Sequence, residues 1–313
     1  MKGLSVVLPA YNEREMIPII SRELTRRLEQ EKISYELIFV SDGSSDGTWE
    51  EIEREADENS RVLGLEFSRN FGKDSAIFAG MAQARMDAVA VMDCDLQHPV
   101  DTLVSMYRIW ENGSEIVEGV KAYRGEENFF YRKGAGWFYH ILSRALKLDM
   151  EDASDFKLMD RKVVDSLLKM PERHLFFRGI SAWAGYRKTQ VKYEVAERAA
   201  GKSKWNWSSL IAYGFQNIVA FTTVPLQFVT VGGLICFLGS VALGIYSLIR
   251  YFQGQAVEGY TTILMVLLII GSAIMISLGI IGFYMGKIYD EVRRRPRYLI
   301  SRMTHRQEKE EKT

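Results

Sequence analysis

Ala88-Val89-Ala90-Val91-Met92-Asp93-Cys94-Asp95 joins a short apolar run to two carboxylates that stand one residue apart. A continuous apolar run of this length is typical of a parallel strand that is buried on both faces of a sheet. Open α/β sheets bind ligands just beyond the carboxyl ends of their strands. Two acidic side chains at that place can share a hard divalent cation, which in turn binds phosphate oxygens. We therefore predict a metal-assisted phosphate site at Asp93 and Asp95, with an acidic turn as the alternative for the motif taken alone.

Strands and helices alternate through the first part of the chain. The pattern of apolar residues predicts strands at 4–9, 35–41, 61–67, 88–92 and 115–120, and helices at 13–31, 48–59, 74–85 and 100–112. Asn12 with Glu15, and Thr48 with Glu51, have the spacing of capping boxes that open two of these helices. The alternation indicates an α/β fold with a mostly parallel, Rossmann-like sheet and helices on both faces.

Charged residues disappear after Lys204: none occurs from 205 to 249, and none from 259 to 286. About 20 apolar residues span the ~30 Å hydrocarbon core of a bilayer, and soluble helices seldom lack charge all round for so long. The predicted domains are a soluble domain at 1–204, an interfacial juxtamembrane helix at 205–226, a hairpin of two transmembrane helices at 227–286 and a basic tail at 287–313. The two spans are expected at about 228–249 and 263–283.

Flanking charge predicts the orientation of this hairpin. Lys202 and Lys204 precede the first span, and Lys287 with five arginines up to Arg302 follow the second, whereas the loop between them carries one residue of each sign. The positive-inside rule then places both flanks, and the soluble domain, on the cytoplasmic side of the inner (plasma) membrane. The arginines of the tail either contact anionic membrane lipids or only set the topology. Acidic and basic residues are equal in number, 40 of each, and nothing indicates a nucleic-acid partner.

Two common phosphate-binding motifs are absent from the soluble part. No G-x-G-x-x-G sequence follows a predicted strand, as a dinucleotide-binding turn requires. Gly72-Lys73 has no glycine five residues before it and no Ser or Thr after it, so it is not a P-loop. Phosphate charge must be met in another way, which favours a metal at Asp93 and Asp95.

Polar residues also follow the first two predicted strands. The second strand ends at Asp42-Gly43, where a carboxylate can accept hydrogen bonds from a base or a ribose and glycine lets the backbone approach a ligand. The first strand ends in the turn at residues 9–13. Because the carboxyl ends of parallel strands meet at one edge, we expect these residues and Asp93 to line one crevice.

Six motifs together resemble family 2 glycosyltransferases of the GT-A fold, and within them the polyprenyl-phosphate glycosyltransferases. They are Pro9-Ala10-Tyr11-Asn12-Glu13, Ser41-Asp42-Gly43-Ser44-Ser45-Asp46-Gly47-Thr48, Ser68-Arg69-Asn70-Phe71-Gly72-Lys73, Asp93-Cys94-Asp95-Leu96-Gln97-His98-Pro99, Ser154-Asp155-Phe156-Lys157-Leu158-Met159-Asp160-Arg161 and Gly201-Lys202-Ser203-Lys204-Trp205. The C-terminal hairpin resembles that of the bacterial undecaprenyl-phosphate glucosyltransferases, which are related to dolichol-phosphate mannose synthase. The resemblance covers nearly the whole chain and implies inverting transfer of a sugar from a nucleotide diphosphate to a lipid phosphate on the cytoplasmic face.

The resemblance also assigns roles to residues. It implies that the nucleoside pocket is lined by Pro9, Tyr11, Glu13 and Asp42. It implies that Asp95 binds Mg²⁺ or Mn²⁺, that Asp93 faces the metal or the ribose, and that Gln97 reaches the sugar or the phosphates. Asp155 stands at the position of the family's catalytic carboxylate. The donor and lipid phosphates would be neutralised by Arg198, Lys202 and Lys204. Ser41 departs from the pattern, because many members carry a second acid there.

Simpler interpretations remain open for several of these residues. Asp155 could only pair with Lys157 or Arg161, since surface acids are usually solvated or paired. Arg69 and Lys73 could be surface cations as readily as nucleotide contacts. Lys202 and Lys204 could act as topology signals, with or without a role in phosphate binding. None of the four histidines has metal-ligand spacing, and His98 is expected to be structural.

Two rival functions are considered. A processive polysaccharide synthase resembles this enzyme class but carries a Q-x-x-R-W motif and usually more spans, neither of which occurs here. A nonenzymatic membrane scaffold fits a hairpin without charges in its spans, but does not explain the acidic motifs. UDP-glucose is the first choice of donor by resemblance, while mannose, N-acetylglucosamine, galactose and aminoarabinose-type sugars stay open. The oligomeric state stays open as well, a homo-oligomer included.

Overall fold

The computed structural model describes residues 2–122, 154–170, 176–194 and 259–304, together with scattered positions between 229 and 253. The chain forms two compact units, one made of residues 1–205 with 296–313 and the other of residues 206–295. Each unit is considered by itself below.

The described strands are β1 Gly3–Ala10, β2 Ser34–Ser41, β3 Val62–Phe67, β4 Ala88–Val91, β5 Ile116–Lys121, β6 Lys157–Asp160, β7 Lys188–Tyr193 and β8 Ile300–Met303. The described helices are α1 Met16–Gln30, α2 Thr48–Glu58, α3 Lys73–Gln83, α4 Val100–Glu111, α5 Arg161–Leu168, α6 Phe177–Trp183 and α7 Tyr260–Val292. The five strands and four helices predicted within residues 1–204 are present. Each begins and ends within about three residues of its predicted position, because element boundaries are less sharply defined than the elements themselves. The sequence analysis did not assign β6, β7, β8, α5 or α6.

All eight strands form one sheet in the order β7-β5-β6-β4-β1-β2-β3-β8. β1 pairs in parallel with β2 and β4, β2 with β3, and β5 with β7. β6 runs antiparallel between β4 and β5, and β8 runs antiparallel along β3. The prediction of a mostly parallel α/β sheet is confirmed, with two antiparallel strands that it did not include.

Helices cover both faces of the sheet. Residues of α1, α2 and α4 join the even-numbered side chains of β1, among them Val6 and Leu8, in one buried core. The helix α3 packs on the opposite side of β1, where a Cβ at Gly80 would stand 2.3 Å from a Val7 methyl group. Glycine at position 80 therefore allows this helix to lie close to the sheet.

The two predicted capping boxes are wrong. α1 begins at Met16 without a side-chain cap, and Asn12 lies in the left-handed region with a φ of 55°. The Asn12 side chain instead accepts a hydrogen bond from the Ser45 backbone N–H at 2.9 Å. Asp46 accepts from the Thr48 N–H at 3.1 Å at the start of α2. Asp46 also accepts from the Arg14 N–H at 3.2 Å. Asn12 and Asp46 thus connect the turns after β1 and β2, which lie side by side because the two strands are neighbours, and local spacing does not reveal this.

Part of the predicted basic tail belongs to the sheet. β8 pairs Glu66 with Arg302 and Leu65 with Met303. The Arg302 guanidinium donates to the Glu66 carboxylate, with 3.1 Å between Nη2 and Oε1. Arg302 was predicted to contact lipid or to be solvated, whereas in the structure it holds an edge strand.

The second unit contains α7, a helix of 33 residues. Among the described residues it is the one helix long and apolar enough to cross a membrane, as judged by length and composition. It includes the span predicted at 263–283. The span predicted at 228–249 is described only at scattered positions, which are helical, and the whole interfacial helix predicted at 205–226 lies outside the described residues. The two-helix hairpin therefore stays a prediction.

Candidate active site

Acidic residues converge at the edge of the sheet where β1, β2 and β4 end. Asp42 follows β2 directly, and Asp93 comes two residues after β4. Asp155 reaches the same edge by a different route, because β6 runs antiparallel to β4 and pairs Lys157 with Val91. The beginning of β6 therefore lies beside the end of β4. This reversal brings together carboxylates that are 62 residues apart in sequence, from Asp93 to Asp155.

Lys73 bridges Asp93 and Asp155, and Arg178 binds Asp155 from the other side. The Lys73 Nζ lies 2.6 Å from Asp93 Oδ1 and 2.9 Å from Asp155 Oδ2. On its other side Asp155 is bound by both nitrogens of the Arg178 fork, at 2.7 Å from Nε and 2.8 Å from Nη2. A bidentate arginine fixes both the position and the plane of a carboxylate. Asp155 is thus a rigidly oriented anion, and only 12% of its side chain is exposed.

These contacts decide the protonation of the cluster. Burial by itself would raise the pKa of the Asp155 carboxyl, but Lys73 and Arg178 outweigh it and hold that pKa far below its usual range. Burial would likewise lower the pKa of the Lys73 amine, but Asp93 and Asp155 keep it well above its ordinary value. Burial would also raise the pKa of Asp93, but the charge and hydrogen bond of Lys73 together with His98 outweigh it and lower that pKa. At neutral pH the cluster therefore contains two carboxylates and two cations.

The acidic motif at 93–95, predicted to bind a metal, leads into a strained turn. Asp95 Oδ1 accepts a hydrogen bond from the Gln97 backbone N–H at 3.1 Å, and Leu96 between them has a φ of 57°. A leucine in the left-handed region is an outlier, and such strain clusters at functional sites. His98 supports the turn from below: its Nδ1 accepts from the Asp93 N–H at 3.3 Å, and its ring stacks on Phe156 at 4.5 Å. The expectation that His98 is structural agrees with these contacts.

Asp42 holds a neighbouring loop in place. Its carboxylate is buried and accepts hydrogen bonds from the Phe71 N–H at 2.7 Å and the Gly72 N–H at 3.0 Å. Burial raises the pKa of Asp42 although both amides favour the charged form. The next residue, Gly43, has a φ of 64°, and a Cβ there would stand 2.4 Å from the Arg69 backbone. Asp42 and Gly43 thus fix the segment that leads into Lys73.

The remaining predicted pocket residues lie at the end of β1 or just after it. Tyr11 stands just beyond the strand with 45% of its surface exposed, as a ligand contact requires. Pro9 is half-buried, and its carbonyl accepts from the Cys94 thiol at 3.5 Å. The Glu13 N–H donates to the Thr48 hydroxyl at 3.0 Å. The predicted lining residues therefore share one edge of the sheet with the acidic cluster.

Neither simple interpretation of Asp155 fits the structure. Lys157 is 1% exposed, and its Nζ lies 3.2 Å from Glu118 and 2.6 Å from the Ser181 hydroxyl. Arg161 donates to the Met86 carbonyl. The partners of Asp155 are Lys73, considered as a nucleotide contact, and Arg178, which the sequence analysis missed.

No sequence signal singled out Arg178. It follows the apolar stretch at 175–177, and α6, which carries it, was not predicted. Its importance depends on a contact across 23 residues. Arg178 could have been noted as a basic residue near the motif at 154–161, but its charge alone does not identify Asp155 as its partner.

The oxygen ligands present fit a divalent cation. Asp93 and Asp95 lie one residue apart and are only partly buried. Among the described residues no group of three His, Cys, Asp or Glu side chains could hold a metal ion. Mg²⁺ is commonly bound by one or two carboxylates together with substrate phosphates and water, so two carboxylates suffice. The predicted phosphate-binding residues Arg198, Lys202 and Lys204 lie outside the described residues.

Comparison with known proteins identifies the family of this chain. The family described as "Glycosyl transferase family 2" matches residues 5–168. A prophage bactoprenol glucosyl transferase homolog of Escherichia coli (strain K12) is 35% identical over 96% of this chain and 99% of its own length. An SfII prophage-derived bactoprenol glucosyl transferase of Shigella flexneri is 36% identical over 97% of this chain and 98% of its own.

A solved structure has the same fold. It is glucosyl-3-phosphoglycerate synthase from Mycobacterium tuberculosis in complex with Mn²⁺, UDP and glucosyl-3-phosphoglycerate. The TM-score is 0.50 at 22% sequence identity, and the match covers 70% of this chain and 78% of that one.

Proposed function

Because the chain belongs to glycosyl transferase family 2 and is a glycosyltransferase, we propose that it transfers a sugar from a nucleotide diphosphate to a polyprenyl phosphate. The favoured substrates are UDP-glucose and undecaprenyl phosphate, and the favoured outcome is inversion at the anomeric carbon. The observation that carries the proposal is the cluster at the carboxyl-end edge of the sheet. There Lys73 and Arg178 hold Asp155 beside the acidic motif Asp93-Cys94-Asp95.

The donor is expected to bind at the ends of β1, β2 and β4. Tyr11 and Asp42 stand where a nucleoside would lie, and Gln97 stands beside the acidic motif, where phosphates or sugar would lie. Asp93 and Asp95 would hold Mg²⁺ or Mn²⁺, whose charge neutralises the diphosphate leaving group. The Mn²⁺ and UDP named for the synthase of the same fold support this choice.

Asp155 is proposed to act as a fixed negative charge and not as a base. A carboxylate whose pKa lies far below the usual range accepts a proton poorly at neutral pH. The acceptor hardly needs a base, since a phosphate monoester has a second pKa of about 6 and is already largely dianionic. The oriented carboxylate can instead stabilise positive charge that develops at the anomeric carbon, or orient the acceptor through a basic residue.

The acceptor and location are inferred from the relatives and from α7. Both bactoprenol transferase names indicate a polyprenyl carrier. The helix α7 has no charged residue from 260 to 286, as a lipid-spanning helix requires. We place the catalytic domain on the cytoplasmic face of the plasma membrane, with two spans, and assign phosphate neutralisation to Arg198, Lys202 and Lys204.

The proposal is tested with purified full-length protein in lipid nanodiscs that contain undecaprenyl phosphate. A panel of labelled nucleotide sugars is supplied with Mg²⁺ or Mn²⁺, and the lipid extract is analysed by mass spectrometry. A glycolipid with one sugar and one phosphate supports the proposal, and the donor that forms it identifies the sugar. Polymer would identify a processive synthase, and no product with any donor would contradict transfer to this lipid.

A further inference from the structure

Residues 296–304, called here the C-terminal strap, pack along the edge of the catalytic sheet. The Ser68 N–H donates to the Leu299 carbonyl at 3.0 Å, and the Thr304 N–H donates to the Gly64 carbonyl at 3.1 Å. Between these points β8 pairs with β3. The strap is therefore attached to the sheet from Leu299 to Thr304.

One side chain of the strap leads to the nucleotide end of the site. The Tyr298 ring stacks on Phe67 with centroids 5.1 Å apart and planes 13° apart. Phe67 in turn meets Phe71 edge to face, with centroids 5.6 Å apart. The Phe71 N–H is the group that donates to Asp42 at 2.7 Å. Three aromatic rings thus connect the strap to the loop that Asp42 holds.

A second side chain leads to the other end of the site. The Arg297 guanidinium donates to the Met170 carbonyl and lies 5.6 Å from the Phe78 ring centroid. Phe78 meets Phe177 edge to face at 6.4 Å. Phe177 directly precedes Arg178, which orients the catalytic carboxylate. The strap therefore contacts residues that pack behind the loop held by Asp42 and residues that pack behind Arg178.

We propose that Tyr298 is a positioning residue for donor binding, acting through Phe67 and Phe71 on the loop at 68–72, with Arg297 in a parallel role behind Arg178. The inference rests on the proposed function for its assignment of the donor pocket. The strap begins four residues after Val292, where α7 ends. A helix expected in the membrane is thus joined by a short segment to residues that shape the donor pocket.

The test compares Tyr298→Ala with Tyr298→Phe in the full-length protein in nanodiscs. Hydrogen exchange measures the protection of the Phe71 and Gly72 amides, and transfer assays give KM for the nucleotide sugar and for the polyprenyl phosphate separately. Loss of an aromatic pair is expected to change the opening equilibrium of the loop at 68–72, and with it the donor KM, by about three- to tenfold. We expect Tyr298→Ala to accelerate exchange and raise the donor KM by that factor, with the lipid KM unchanged. Tyr298→Phe keeps the ring and should match the wild type.

A control variant on the opposite face of the sheet distinguishes the proposed positioning role of Tyr298 from a general effect on stability. Ile20→Val removes one methyl group from the fully buried core under α1 and lowers stability modestly. If it accelerates exchange at Phe71 as much as Tyr298→Ala does, the effect is global and the proposal is overturned. Unchanged exchange and donor KM in Tyr298→Ala would overturn it as well. Absence of transfer by the wild type would count against the proposed function, while the exchange comparison would still decide the role of Tyr298.

Discussion

The Lys73 amine and the Asp155 carboxylate lie 2.9 Å apart although 82 residues separate them in sequence. Lys73 opens α3, and Asp155 immediately precedes the antiparallel strand β6. Their contact joins two parts of the chain that the sequence analysis treated separately: a loop expected to contact nucleotide and the expected catalytic acid. The same amine also binds Asp93, so one cation connects the acidic motif at 93–95 with the carboxylate proposed to be catalytic.

Asp95→Asn is expected to abolish turnover while the protein still folds. Losing a metal ligand at a diphosphate leaving group removes charge stabilisation that typically contributes at least about 100-fold in kcat. Steady-state kinetics and circular dichroism measure the two effects. Asp101→Asn, a change of the same kind at a largely exposed residue on α4, should leave kcat unaltered. Near-normal turnover in Asp95→Asn, or full wild-type activity in excess chelator, would refute the metal assignment.

Asp155→Asn is expected to lose most activity at every pH. If Asp155 were the general base, the Asp155→Asn variant would regain activity at higher pH, where the acceptor phosphate has already lost its last proton to solvent. Because the structure holds the pKa of Asp155 far below neutrality, we expect no recovery between about pH 7 and 9. Rates measured across this range with saturating donor decide between the two roles. A return toward the wild-type rate at high pH would establish the base mechanism.

Arg178→Lys is expected to lower kcat by roughly 10- to 100-fold although the charge is retained. A lysine provides one point contact where the arginine fork holds both oxygens of Asp155, so the carboxylate can rotate away from its working orientation. The donor KM should change little, since Arg178 binds Asp155, which is proposed to act on the reacting carbon and not on the nucleotide. Arg187→Lys, at an exposed arginine, serves as the control. Equal kcat in both variants would show that orientation of Asp155 is unimportant.

Asp74→Asn is expected to stabilise the protein at neutral pH. Burial raises the pKa of Asp74 to about 6, so the folded state binds a proton more tightly than the unfolded chain, whose carboxyl keeps its ordinary pKa of 3.8. Stability therefore falls as pH rises from about 4 to 6, and the loss is complete above pH 6. Asparagine carries no charge and can still accept from the Phe177 N–H.

Unfolding temperatures at several pH values test this prediction. The variant should exceed the wild type by on the order of 1–3 kcal/mol at pH 7.5 and differ little near pH 4. A variant that is less stable at neutral pH would mean that the charge of Asp74 is favourable in the folded protein.

Removal of the strap is expected to destabilise the catalytic domain. A chain ending at Arg295 keeps α7 but lacks β8, which leaves the β3 edge unpaired and prone to aggregation. A chain ending at Thr304 keeps every residue of the strap. Size-exclusion profiles and unfolding temperatures should therefore match the full-length protein for the longer chain only. Identical behaviour of the two chains would show that residues 296–304 are a dispensable tail.

Local pattern in the sequence was sufficient for the parallel part of the fold. Strands such as β4 consist of consecutive apolar residues because both of their faces are buried, and this run together with the acids after it is visible in the sequence. The rule that strand ends meet at one edge then placed Asp42 and Asp93 near each other. The family motifs added Asp155 and the expected chemistry.

Other features depended on tertiary structure, because they arise from pairing between distant segments. The antiparallel direction of β6 brings Asp155 beside Asp93, and no local periodicity reports the direction in which a strand enters a sheet. β8 has only four residues, all of them exposed, so no apolar pattern marks it. Arg178 has its role only because α6 presents it to a carboxylate 23 residues earlier. The acidic edge of the sheet could thus be predicted from residue types and spacing, and the expected chemistry from the family resemblance, whereas the partners that orient Asp155 were decided by long-range packing.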